Sequence, residues 1–276
     1  MTYWMLLQKL KKIGVEDAET EARILACHVM AGWPVARILS ENPDMPEEFL
    51  LPALDQRAAH IPLQYVIGEW PFYEETYEVQ PGCLIPRPDT EILVETAIEL
   101  LPENCFFADL CTGSGCVAIS VLAHRGDTRA VGVDVDPALV SLALRNASRN
   151  GVSERFEAKQ GDVLNGDWFG FWNLSGHISC ILSNPPYIPS GVIPTLTSEV
   201  QHEPVLALDG GTDGLDFYKQ ILEQGSNLLP KGGLILLEIG ADQGPALKAL
   251  AGKNGYSCEI RKDLSGLDRV CVLKKI

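Results

Sequence analysis

An apolar run at 178–182 ends in Ser183 and then Asn184, Pro185, Pro186 and Tyr187. These residue types can manage a reluctant nucleophile. An amide or exocyclic amino nitrogen attacks poorly because its lone pair is delocalised. The side-chain carbonyl of Asn184 and the backbone carbonyl of Pro185 can each accept one N–H of such a group. The two bonds would hold the nitrogen in place and favour the pyramidal form that exposes the lone pair. Two prolines stiffen the loop and remove competing N–H donors, and Tyr187 can stack on a flat substrate group. No base is needed before attack, since the proton turns acidic once the nitrogen is alkylated. Taken alone, the same four residues also read as a strand terminator with a turn-forming amide and a packed ring. The rest of the chain has to decide.

A second constellation lies upstream. The stretch FFADL leads into Asp109, Leu110, Cys111, Thr112, Gly113, Ser114 and Gly115. The glycines allow a tight turn and close approach of backbone to a ligand, and a helix N-terminus follows. Asp134 closes the next strand, where a carboxylate can accept both hydroxyls of a ribose. Asp162 follows a third strand, where an adenine edge would lie. Singly, each acid reads as a turn residue or helix cap; together, each at a strand end, they outline a nucleoside crevice. The third glycine of the dinucleotide pattern is missing, because Cys116, Val117 and Ala118 follow Gly115. That counts against a nicotinamide enzyme and fits a cofactor without a pyrophosphate, such as S-adenosylmethionine.

The elements that must position these residues alternate from residue 87 onward. FFADL, RAVGVDV, RFEAKQGD, ISCILS and LILLEIG read as strands, with SCEIRKDL and RVCVLKK closing the sheet. Helices read through TEILVETAIELL, where Asp89 or Thr90 can serve as cap, then VAISVLAH, ALVSLALRNASRN and FYKQILEQGSNLL. This alternation predicts a doubly wound, mostly parallel sheet with its ligand at the carboxyl ends of the strands. Residues 1–65 instead show helical spacing, with one helix predicted from Pro46 through LLPALDQRAAH. Residues 66–86, aromatic and broken by glycine and proline, predict a β-hairpin linker. The expected organisation is a helical domain at 1–65, the linker, and a catalytic α/β domain at 87–276.

Composition narrows the classes further. The chain has 276 residues, 46% hydrophobic and 21% charged, enough apolar material for one or two cores. A net charge of −15 lowers the odds of a nucleic-acid partner, whose phosphates call for a basic face. The opening MTYWMLLQKLKKIGVEDAE is not patterned as a secretory signal, and no window reaches the ~18 apolar residues of a membrane span. A cytoplasmic protein without a membrane partner is expected. The eight cysteines form no CxxC pair, so buried free thiols and no metal site are expected.

With these residues in hand, the sequence resembles the protein-(glutamine-N5) methyltransferases of peptide chain release factors, the PrmC/HemK family. The pieces are PLQYVIGEWPFY (62–73), LIPRPDTEILVE (84–95), DLCTGSGCVAIS (109–120), GVDVDPALVSLALRNA (132–147), SNPPYIP (183–189), EVQHEPVLALDGGTDGLDFYKQI (199–221), LLEIGADQG (236–244) and DLSGLDRV (263–270). NPPY alone occurs in several amino-methyltransferase families; the segment around IPRPDTE and the EPVLALDGG loop are more specific. The resemblance implies a seven-stranded Rossmann-like (class I) methyltransferase domain behind a small helical domain that helps engage the substrate. It implies methyl transfer from S-adenosylmethionine to the glutamine side chain in the GGQ motif of class 1 release factors, tuning translation termination, with no stable nucleic-acid binding. Carried over, Asn184, Pro185, Pro186 and Tyr187 hold the glutamine. Asp109, Cys111, Thr112, Gly113, Ser114 and Gly115 form the cradle of the methionine part, Asp134 takes the ribose, and Asp162 with Val163 borders the adenine. Arg87, Pro88 and Thr90 line the methionine side. Two features depart from the family or leave a choice: Cys111 stands where the family usually has glycine, and Asp167 or Trp168 is an alternative to Asp162 at the adenine. Rival readings are an adenine amino-methyltransferase of nucleic acid, a nicotinamide oxidoreductase, and a nucleotide-binding module without catalysis.

Overall fold

A computed structural model describes residues 1–166 and 178–276, which fall into two compact units. The larger comprises 70–196 and 203–276, the smaller 1–69 with 197–202.

In the larger unit, strands β3 (Phe106–Leu110), β4 (Arg129–Asp134), β5 (Phe156–Gln160), β6 (Cys180–Ser183) and β7 (Leu234–Glu238) run parallel. Strand β9 (Asp268–Lys275) pairs antiparallel with β7 and with β8 (Tyr256–Lys262). The sheet order among the described residues is β5-β4-β3-β6-β7-β9-β8. The central strands are apolar and buried along nearly their whole length, as parallel strands covered on both faces must be. Helices α6 (Glu91–Leu100), α7 (Cys116–His124) and α8 (Pro137–Arg149) pack into one core cluster, with Leu93, Val117 and Ala143 among its members. A second cluster holds Tyr218, Ile221 and Leu222 of α9 (Asp216–Leu228) and Leu247 of α10 (Gly244–Lys253). Helix α8 starts on Pro137, and the Asp136 carboxylate accepts the Ala138 N–H at 2.7 Å. Proline loses nothing at that position, and the cap satisfies an orphan donor.

One expectation fails locally. Neither Asp89 nor Thr90 caps α6: a 3₁₀ turn at Pro88–Thr90 runs straight into the helix, and Thr90 is itself helical at φ −68°. A capping residue needs extended backbone to turn its side chain onto the first N–H groups. Asp89 instead pairs with Arg269 at 3.0 Å.

The hairpin strands β1 (Glu69–Phe72) and β2 (Glu75–Glu78) are shorter than the aromatic stretch in which they lie. Tyr77 of β2 is fully buried in the sheet core, its hydroxyl 2.6 Å from Ser120 of α7. Asn146 of α8 takes the Glu78 N–H on its side-chain oxygen and donates to the Glu78 carbonyl and the Ser114 carbonyl. One fully buried amide thereby ties the hairpin to the turn after β3.

The smaller unit holds α1 (Tyr3–Lys12), α2 (Ala18–Val29), α3 (Val35–Glu41), α4 (Glu47–Ala58) and α5 (Leu63–Ile67) around Leu6, Leu10, Leu25, Ile38 and Leu50. Helix α4 ends at Ala58, just short of the end of the stretch predicted for it, because His60 turns left-handed at φ +61°. Arg57, 3% exposed, makes two bonds to Glu21 at 2.7 and 2.8 Å and also pairs with Glu199. Burial of a guanidinium is tolerable only with such partners. No helix among the described residues is long and apolar enough to cross a membrane.

Candidate active site

The strand order reverses between β3 and β6, and in an open α/β sheet the ligand crevice lies outside the carboxyl ends at that point. Asp109 of β3, Asp134 of β4, Asp162 after β5, Asn184 after β6 and Glu238 of β7 all stand at that end.

The turn after β3 needs left-handed backbone three times, at Cys111 (φ +59°), Gly113 (φ +54°) and Gly115 (φ +81°). A residue with a Cβ loses ~1–2 kcal/mol there, which is the physical reason glycine suits position 111. Gly115 has a further constraint: an added Cβ would lie 2.7 Å from the Ile119 Cδ1 and 3.2 Å from the Ala143 Cβ. The Ile119 methyl can swing away; the Ala143 Cβ is fixed to its helix. Gly115→Ala is expected to destabilise the protein by ~1–2 kcal/mol, read from the shift of the urea midpoint at constant slope. An unchanged midpoint would mean that the turn relaxes freely.

Thr112 anchors the turn on both sides, its N–H to the Val133 carbonyl at 2.9 Å and its hydroxyl to Asp109 at 2.6 Å. Burial pushes the Asp109 carboxyl up to about 7 against the hydrogen bonds from Thr112 and Ala118. The Gly113 N–H donates to one oxygen of Asp134 at 2.9 Å and the Asp136 N–H to the other at 3.1 Å. Burial raises the Asp134 carboxyl as well. Each of its oxygens holds one backbone donor and keeps acceptor capacity for a second, such as a hydroxyl. The Asp162 carboxylate accepts the Leu164 N–H at 2.8 Å, next to buried Val163. Asp167 and Trp168 lie outside the described residues. Ser114 is buried, and its carbonyl takes the Asn146 amide described above.

Asn184 donates its side-chain N–H to the Thr90 hydroxyl oxygen at 3.1 Å. Its own carbonyl oxygen and that of Pro185 take no donor from the described residues. Pro185 and Pro186 are buried. The Tyr187 ring is half-buried and packs against the core; its hydroxyl donates to Glu238 at 3.2 Å and its carbonyl accepts from Gln243 at 3.0 Å. Arg87 pairs with the buried Glu203, whose second oxygen takes the Ile85 N–H at 3.1 Å. The Thr90 hydroxyl is thus engaged by Asn184, and one guanidinium nitrogen of Arg87 by Glu203.

The loop EPVLALDGG explains its own sequence. A Cβ at Gly210 would sit 2.7 Å from the Tyr187 Cα and 2.9 Å from the Pro186 carbonyl. Ile188 bridges to Asp209, so this loop backs the Asn-Pro-Pro-Tyr backbone directly. Sequence reasoning missed Glu238, Gln243, Glu203 and Asn146. Glu238 had a signal: it is a lone acid ending an otherwise apolar strand, where burial demands a reason.

A cavity of about 650 Å³ beside Asn104, Arg129 and Arg155 opens at the amino ends of the strands, away from all these residues.

Fold and crevice together define a Rossmann-like methyltransferase. The solved ribosomal protein L11 methylase of Lactobacillus delbrueckii subsp. bulgaricus shares the fold, with a TM-score of 0.50 and 17% identity over 75% of this chain and 90% of that one. The family described as ribosomal protein L11 methyltransferase (PrmA) matches residues 88–185, and the PrmC N-terminal domain matches 5–68. Release factor glutamine methyltransferase of Moorella thermoacetica is 39% identical over 95% of this chain and 93% of its own length. Its namesake from Thermodesulfovibrio yellowstonii is 36% identical over 92% of each. The chain belongs to the release factor glutamine methyltransferase family.

Proposed function

We propose that this protein methylates the side-chain amide nitrogen of a release factor glutamine, the one in the GGQ motif of class 1 factors, at the crevice beside Asn184. The observation that carries the site is the pair of carbonyls, Asn184 and Pro185, without donors of their own beside the ligand-binding end of the sheet. The crevice suits S-adenosylmethionine. The position of a Cβ on Gly113 is open apart from the Cys83 Sγ at 3.9 Å, leaving room for close approach. Asp134 retains acceptor capacity for ribose hydroxyls, and the acids at the strand ends favour a cationic ligand. When bound, the cofactor supplies an electrophilic methyl group on a positively charged sulfur.

The residues of the chain do the rest. The turn at 111–115 and Asp134 hold the donor, and Asp162 with Val163 borders its base. The Asn184 and Pro185 carbonyls accept the two N–H bonds of the glutamine amide, orient its nitrogen and favour its pyramidal form. Pro186 keeps the loop stiff, and Tyr187 flanks the planar amide. Residues 1–65 serve as the docking domain for the protein substrate, the hairpin links the two parts, and 87–276 carry out the transfer. The acidic balance argues against stable nucleic-acid binding.

A methyl-transfer assay with labelled S-adenosylmethionine, offering intact release factor, duplex DNA and tRNA in parallel, tests the reading. Label should enter the release factor at the glutamine amide. Label in adenine at physiological salt, with none in protein, would overturn it.

A further inference from the structure

Glu238 ends β7 in the crevice as a buried carboxyl. It is 2% exposed, and one of its oxygens, Oε2, has no hydrogen-bond partner among the described residues. A buried carboxyl with an unused oxygen is costly, so its retention calls for a use.

Its neighbours point to one. Oε1 accepts the Tyr187 hydroxyl at 3.2 Å. The Thr90 hydroxyl lies alongside the same carboxyl, and that hydroxyl oxygen accepts the Asn184 amide N–H at 3.1 Å. One carboxyl therefore reaches both ends of the Asn-Pro-Pro-Tyr stretch, Tyr187 directly and Asn184 through Thr90. Thr90 is 2% exposed, so water does not compete for its hydroxyl.

We propose that Glu238 is a positioning residue whose ionised form sets the orientation of the Asn184 amide through Thr90. This deepens the function proposed above and rests on the Asn184 site. An ionised carboxylate can only accept, so Thr90 must point its proton at Glu238 and offer its lone pairs to Asn184. The NH₂ end of Asn184 then faces Thr90, and its carbonyl faces the substrate. A protonated Glu238 can donate to Thr90. Thr90 then turns its proton toward Asn184, and the amide flips its NH₂ toward the substrate, where an acceptor is needed.

The charge balance at Glu238 is set from every side. Arg269 on β9 faces it, itself shared with Asp89 and Asp263; Asp89 opposes its ionisation, and Tyr187, Tyr218 of α9 and Cys116 of α7, all held neutral, lie in its field. Burial outweighs the neighbouring Thr90 hydroxyl, the Arg269 charge and the Tyr187 hydrogen bond, and pushes the Glu238 carboxyl up to about 7. The acid is ionised above that value, so kcat falls as pH drops through it. Asp109, buried beneath the turn, rises to the same range for the same reason, so the pH profile must be assigned by substitution.

The experiment measures single-turnover methylation of intact release factor across about pH 6–8 for wild type, Glu238→Gln, Thr90→Val and their double variant, with cofactor affinity by calorimetry. Glu238→Gln should lower the rate at pH 8 at least about tenfold and flatten the acid limb, with cofactor Kd and protein KM within about threefold of wild type. Thr90→Val should lower the rate comparably, and the double variant should be no slower than the worse single one, because the two act in one relay. A wild-type rate and acid limb in Glu238→Gln, or multiplying losses in the double variant, would overturn the proposal. Should Glu238→Gln fail to fold, Thr90→Val decides alone, and a wild-type rate there ends the relay. Asn184→Ala run alongside keeps the two levels apart. If it is inactive while Glu238→Gln is normal, only the relay fails; if it is fully active, the site itself is misplaced.

Discussion

Asn184→Ala is expected to leave S-adenosylmethionine binding close to wild type and to lower kcat by roughly a hundredfold or more. That is the scale on which a single preorganised polar group acts in a transition state. The separation follows from geometry. The Asn184 amide donates to Thr90 and its carbonyl takes no donor from the described residues, so in the proposed site its removal takes away a substrate acceptor while the turn at 111–115 and Asp134 stay intact. Asn184→Asp is the sharper comparison. It keeps an oxygen where the substrate N–H must be received, so it should retain more activity than the alanine variant despite adding charge near Glu238. Calorimetry with the cofactor and single-turnover methylation of intact release factor measure the two halves. A wild-type single-turnover rate in Asn184→Ala would remove the reason for ending β6 in this way.

Asp134→Ala should do the reverse. Its carboxylate pins the Gly113 and Asp136 N–H groups, and in the proposed site its remaining acceptor capacity serves the ribose. Without it, cofactor affinity should weaken by ~1–3 kcal/mol, roughly five- to 150-fold in Kd. The rate at saturating cofactor should stay near wild type, since the side-chain bonds of Asp134 among the described residues go to Gly113 and Asp136 and none to Asn184. Asp134→Asn, which keeps one acceptor oxygen, should fall between the two. Calorimetric Kd values within error of wild type for Asp134→Ala would leave that acid as a brace for the turn alone.

The contrast between these residues and Glu238 shows how the information is divided. The order of strands and helices was legible because each obeys a local rule. FFADL, ISCILS and LILLEIG are apolar without alternation, as strands covered on both faces must be. That Asp109, Asp134, Asp162 and Asn184 all stand at strand ends follows from that order, and parallel strands then bring those ends to one edge. The left-handed backbone at 111–115 was half legible, through Gly113 and Gly115 and through the departure at Cys111.

What no local pattern could show are the contacts between side chains far apart in the chain. Thr90 looked like a helix cap, and only the fold shows its hydroxyl turned to Asn184, 94 positions away. Asn146 read as one more polar residue on an amphipathic helix, yet it is fully buried and joins the hairpin to the Ser114 carbonyl. Glu238 meets Tyr187 only because β6 and β7 are neighbours in the sheet and the loop after β6 folds back over the end of β7. The sequence by itself determined which elements form and which residues end them, because those depend on periodicity and backbone preference within a few residues. Tertiary structure decided which polar atoms are used up and which remain free for a substrate, because a buried hydrogen bond depends on distances set by the packing of the whole sheet.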